Sequence, residues 1–101
     1  MDWTLLSDLA VLETFGKRIK ESRLRKNLTQ RELAVRAGVS LFTINQIENG
    51  KSVSFSIIIS ILRALKMLDN MEMLMPEIKI SPIELLKFKG ETRKRATGKR
   101  G

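Results

Sequence analysis

LTQRELAVRAGVSLFTINQIENG, residues 28–50, decides the fold. It reads as two short helices joined by a tight turn. Thr29 caps the first, and Glu32 stands three residues later, the reciprocal capping-box spacing. Leu33 and Ala34 supply an apolar, small inward face. Gly38 ends the helix where a left-handed residue costs least. Val39 reads as a buried spacer. Ser40 then caps a second helix, with Ile44 and Ile47 three residues apart on one face. Asn49-Gly50 stops it.

Two helices of this length around a Gly-containing turn form a helix-turn-helix unit, whose second helix is of a size to enter a DNA major groove. Arg23, Leu28-Thr29-Gln30, Glu32-Leu33-Ala34, Gly38-Val39-Ser40, Thr43-Ile44 and Ile47-Glu48-Asn49-Gly50 carry a resemblance to the phage-repressor-like (Cro-like, Xre) helix-turn-helix regulators, over roughly residues 15–68. The resemblance implies a sequence-specific binder of a double-stranded DNA operator, acting as a transcriptional repressor and homodimer. It also implies that Arg23 pairs with Glu48 beneath the recognition helix; two separate surface charges are the bland alternative.

Outward from this unit, the helix signals give an all-α fold. The expected architecture is a compact five-helix bundle with an N-terminal helical extension (1–12), a DNA-binding domain (13–76), a C-terminal extension with a short helix (77–90) and a basic disordered tail (91–101). Glu13–Asn27 reads as a helix with Phe15, Ile19 and Leu24 on one face and basic residues around the rest. In MDWTLLSDLAVL, Thr4 or Ser7 can cap a helix, and Trp3, Leu6, Leu9 and Leu12 recur at threes. This stripe packs on its own domain or meets a partner. Ser54 caps 55–66, where Ile58, Ile61, Leu62 and Leu65 fall at helical spacing. The β-branched run also fits a strand, but no pairing strand lies nearby.

Asp69 opens a short Met-rich helix with Glu72 at the capping-box position, and Pro76 stops it. Met-rich apolar surface is adaptable and suits association; by resemblance this helix makes the dimer contact, and ordinary core packing is the other reading. Glu77–Ile80 alternates and reads as extended. Ser81-Pro82-Ile83-Glu84 is a second strong helix start, with Gly90 closing that helix.

Composition removes most chemistry. The 101 residues contain no Cys and no His, so there is no disulfide, thiolate metal site, histidine base or His-paired nucleophile. No Gly-rich loop cradles phosphate. We expect no enzyme, catalytic residue, cofactor or metal. No apolar run reaches the ~18 residues of a membrane span, and the first ten residues lack the basic segment of a secretory signal, so a cytoplasmic protein is expected. The formal charge is +8. Residues 87–101 hold seven basic groups against Glu91, so six of the eight excess charges sit in the tail and the four residues before it. The tail attracts polyanions or simply keeps the chain soluble.

A recognition helix presents its N-terminal half to base edges. With Ile44 and Ile47 inward, Leu41, Phe42, Asn45 and Gln46 face outward. Asn and Gln can pair with adenine N6 and N7, while Leu41 and Phe42 can only make apolar contact, as with thymine methyls. Burial against a neighbouring element competes for Phe42. By resemblance, Gln30, Thr43, Asn49 and Lys51 contact the DNA backbone, with Arg31 a weaker candidate. Ser40 is a cap with a phosphate bond rather than a base reader. The apolar pair Leu41-Phe42 departs from a typical member and leaves the operator sequence open.

A narrower resemblance extends past the core. ENGKSVSF, ILRALKMLDNMEMLMPE and SPIELLKFKG with RKRA look like small regulators paired with HipA-like kinases. That resemblance implies a HipB-like antitoxin, which represses its own operon and binds the toxin kinase.

Overall fold

The computed structural model describes residues 1–79, 81–84, 86 and 87. Residues 1–70 form one compact unit, and a second begins at Met71. The first unit is all-helical: a 3-10 turn at Trp3–Leu5, α1 (Asp8–Arg25), α2 (Gln30–Ala37), α3 (Leu41–Glu48), α4 (Phe55–Ala64) and a 3-10 turn at Leu68–Asn70. No strand occurs among the described residues.

The four α-helices of this unit start and stop by the same local chemistry. Ser7, Thr29, Ser40 and Ser54 each stand in extended backbone and accept the N–H of the residue three ahead. Each helix then closes on a left-handed residue: Asn27 (φ 56°), Gly38 (70°), Gly50 (80°) and Lys66 (59°). The next N–H reaches back five residues in every case. Leu28 donates to the Arg23 carbonyl at 3.1 Å, Val39 to Ala34 at 3.0 Å, Lys51 to Gln46 at 3.0 Å and Met67 to Leu62 at 2.8 Å. These bonds satisfy carbonyls that a helix end otherwise leaves open.

Ile19, Leu28, Leu33, Ala34, Ile44, Ile47, Ile61, Leu62 and Leu65 form the core, drawn from all four helices and the α1–α2 loop. Three expectations are corrected. Leu24 is 52% exposed, and the buried partner of Ile19 along α1 is Arg23. The reason is helical phase: four residues return to one face, and five carry the side chain past it. Val39 is half-buried rather than buried, because it follows the helix end at the turn. The helix opened by Asp69 divides into the 3-10 turn and a single α-turn, α5 (Met71–Leu74).

At the N-terminus, α1 starts at Asp8, so residues 8–12 of the apolar extension belong to the first helix, while extended Leu6 and Ser7 set the 3-10 turn at Trp3–Leu5 apart from it. Trp3 lies under the Arg18 guanidinium, 4.9 Å from ring centroid to cation. This is cation–π geometry. The Thr4 hydroxyl and then its N–H hold the Asp2 carboxyl below the ordinary carboxylate range.

In the second unit, Met73 and Leu74 of α5 and Met75 just after it are all exposed, and the alternating Glu77–Lys79 stretch forms no ladder. Ser81 and Glu84 make the expected reciprocal cap, each N–H reaching the other's side chain at 3.2 Å. Gly90, the basic tail and Ile80 lie outside the described residues.

Candidate nucleic-acid interface

The site is the outer face of α3, and its geometry is fixed from below. Ile44 and Ile47 are buried on the inner face, and Glu48 is buried beside them. A buried carboxylate costs several kcal/mol unless it is fully paired. Here the Arg23 Nε donates to Glu48 Oε2 at 2.7 Å and Nη2 donates to Oε1 at 3.0 Å. The Arg23 Nη1 donates to the Leu28 carbonyl at 2.8 Å. The Gln30 amide adds a further donor to Glu48 Oε1 at 3.1 Å. No buried side-chain N or O among the described residues lacks a partner. One saturated network therefore ties α1, the α1–α2 loop, α2 and α3 together, the arrangement in which a buried ion pair is tolerable.

The N-terminus of α3 is equally constrained. Ser40 Oγ accepts the Thr43 N–H at 3.0 Å and shares a hydroxyl–hydroxyl hydrogen bond with Thr43 at 2.8 Å. The Ser40 side chain is thus the cap of α3 and is bonded to the Thr43 hydroxyl. In α2, the Thr29–Glu32 capping box is complete, with bonds of 2.9 and 3.0 Å. The Thr29 N–H and hydroxyl lower the Glu32 carboxyl from its ordinary value.

On the outer face, Leu41 is 39% exposed, Phe42 69%, and Asn45 is exposed with Gln46 half-exposed beside it. No neighbouring element among the described residues covers Phe42. Asn45 Oδ1 accepts from the Asn49 amide at 3.1 Å, one helical turn on. Its own NH₂ meets no acceptor among the described residues. The carbonyl oxygen keeps a second lone pair, so the bond from Asn49 orients the Asn45 amide without removing it as an acceptor. Arg31, Asn49 and Lys51 are exposed and Thr43 is half-buried. Gln30 is the outlier: it stands at the first position of α2, yet its amide turns inward to Glu48.

Sequence reasoning missed Gln30's inward bond, which carried no local signal. It also passed over Gly16, which is buried inside α1 against the end of α3. There a signal existed, because a glycine in a helix interior costs about 1 kcal/mol against alanine and implies a packing reason.

A short capped helix, buried on one side and offering amide and apolar side chains on the other, is the architecture of a helix-turn-helix reader of duplex DNA. Residues 19–68 match the family model described as helix-turn-helix, so the chain carries a helix-turn-helix domain of the Cro-like (Xre) type over that span. No curated protein matches the chain. No helix among the described residues is long and apolar enough to cross a membrane.

Proposed function

We propose that this protein is a transcriptional repressor that reads a double-stranded operator with α3, as a two-fold dimer. The observation that carries this reading is α3 itself: held by caps at both ends and a saturated network beneath, with Leu41, Phe42, Asn45 and Gln46 outward. Gln30, Arg31, Ser40, Thr43, Asn49 and Lys51 flank that face and set the register on phosphate. An eight-residue helix reaches a single groove segment; two copies about one DNA turn apart double the contacts. The exposed apolar side chains of the second unit support an association surface there.

The test is a selection of duplex DNA by the full chain, followed by the N45A/Q46A variant. Each good base contact is worth ~1–3 kcal/mol of discrimination. The double variant loses at least about 10-fold in preference for the selected duplex over a shuffled one while staying folded. An unchanged preference removes these two residues from the reading face.

A second reading shares the same domain: an antitoxin that binds a HipA-like kinase and represses its own operon. Met73, Met75, Ile78, Ile83 and Leu86, all exposed, favour a protein partner for the second unit. Co-expression with the product of the adjacent gene separates the two, since the antitoxin co-purifies with it and a plain repressor does not.

A further inference from the structure

We infer that Gly16 is a positioning residue for base reading: it sets how closely α1 approaches the C-terminal carbonyls of α3, and so where the recognition helix sits. This rests on the reading of α3 proposed above. A Cβ on Gly16 would collide with the Ile47 carbonyl oxygen and stand 3.1 Å from the Glu48 oxygen and 3.2 Å from its carbonyl carbon. All three atoms are backbone. No rotamer change relieves such a contact, so α3 must move as a body or tilt. The other side of the same junction is equally close. A Cβ on Gly50, the left-handed stop of α3, would meet Glu13 of α1, its Cγ at 2.8 Å and its Cα at 3.1 Å. Two glycines, one on each partner, thus let α1 and the end of α3 come together at backbone distance.

Ile47 O and Glu48 O belong to the last turn of the helix whose residues 41, 42, 45 and 46 face outward. Hydrogen bonds to base edges weaken steeply over a few tenths of an ångström and a few tens of degrees. A functional constellation has to be held to about 0.5 Å. Displacing the end of α3 by the amount a methyl demands therefore takes Asn45 and Gln46 out of register. Binding that depends on charge alone is untouched, because phosphate attraction carries no sequence information.

Gly38 supplies the control within the same molecule. It is also a glycine at a helix boundary of the reading unit, with φ +70°, yet nothing lies within 4 Å of a Cβ built on it. Gly38→Ala strains the backbone and lowers stability without pushing any neighbour. Gly16→Ala pushes α3.

The experiment uses the full chain, a duplex selected from random DNA by the wild type and a shuffled duplex of the same composition. G16A, G16S and G38A are compared at a temperature where the variants are folded by circular dichroism. The amide NMR shifts of residues 41–46 are recorded in the free proteins. In the expected result the folded Gly16 variant moves those shifts and loses 10-fold or more in the affinity ratio of selected to shuffled duplex, with shuffled-duplex affinity within about 2-fold of wild type. G38A keeps the ratio within about 2-fold. Unmoved shifts or an unchanged ratio in folded G16A overturns the inference, as does an equal loss in G38A. Failure of both Gly16 variants to fold where G38A folds also overturns it, making Gly16 a requirement of the fold alone. If the wild type selects no duplex, the DNA reading fails by itself, and the shifts of residues 41–46 decide whether Gly16 positions α3.

Discussion

Ser54 and Ser81 open their helices in the same way, each accepting the N–H three residues ahead. After Ser54, the apolar residues Ile61, Leu62 and Leu65 disappear from solvent. After Ser81, Ile83 stays 68% exposed and Leu86 73%. The cap is the better formed of the two at Ser81, where the reciprocal bond from Glu84 is present. What differs is the surface available to the apolar stripe. α4 packs against α2. Caps decide where a helix begins; only a facing surface converts its apolar residues into stability, at ~1.5–3 kcal/mol for each fully buried side chain. Where no such surface covers them among the described residues, the same residue types stay in solvent.

The largest expected effect is at the point where the first region is least forgiving. Arg23→Ala or Glu48→Ala leaves one buried charge without its partner and costs ~3–5 kcal/mol, read from the midpoint of urea denaturation. A cost near that of an exposed pair would mean that water reaches the network, and the buried region would be less closed than its geometry.

Core truncation against second-unit truncation draws the contrast directly. Leu33→Ala and Ile61→Ala remove fully buried side chains and cost ~2–5 kcal/mol each. Met73→Ala, at a residue 85% exposed, stays within ~0.5 kcal/mol at low protein concentration. If the second unit is a dimer surface, the Met73→Ala cost grows with protein concentration, because association stabilises by mass action. A core-sized cost at every concentration breaks the comparison.

Lys66 sharpens it further, since it stops α4 with φ +59° and no glycine. A left-handed non-glycine costs roughly 1–2 kcal/mol, of which glycine's own backbone entropy offsets about half. Lys66→Gly is therefore stabilising by about 0.5–1 kcal/mol, seen as a raised Tm.

The smallest effect is the capping box of α2. Glu32's carboxyl is lowered in the folded chain by its bonds from Thr29. A group with a depressed folded pKa adds stability above its unfolded value and loses it as pH falls through the folded one. The amides at the start of α2 lose exchange protection as pH falls below the ordinary glutamate range. Glu32→Gln flattens that dependence; an identical pH profile in the variant would sever the link between the carboxyl and the cap.

Much of this molecule is legible along the chain, and the legible part is local. Thr29, Ser40 and Ser54 mark helix starts because a hydroxyl three residues before a free N–H is a matter of adjacent residues. Gly38 and Gly50 mark stops because the left-handed backbone favours a residue without Cβ. Ile44 and Ile47 assign one face of α3 inward, and the outward set follows from the same 3.6-residue period. Asn27 and Lys66 close helices in the same conformation as those glycines; asparagine tolerates it and is a recognised stop, whereas nothing in the Lys66 side chain announces it.

By itself, then, the sequence determined the all-helical order, the helix-turn-helix core and which residues of α3 face out, since capping and periodicity act over a single turn. Tertiary structure alone decided the rest. That Gln30 turns inward to Glu48, that Arg23 meets Glu48 through two bonds, and that Gly16 admits the backbone of α3 are outcomes of which surfaces meet. Contacts between residues 18, 25 or 31 positions apart depend on the joint geometry of whole helices, which no local pattern encodes.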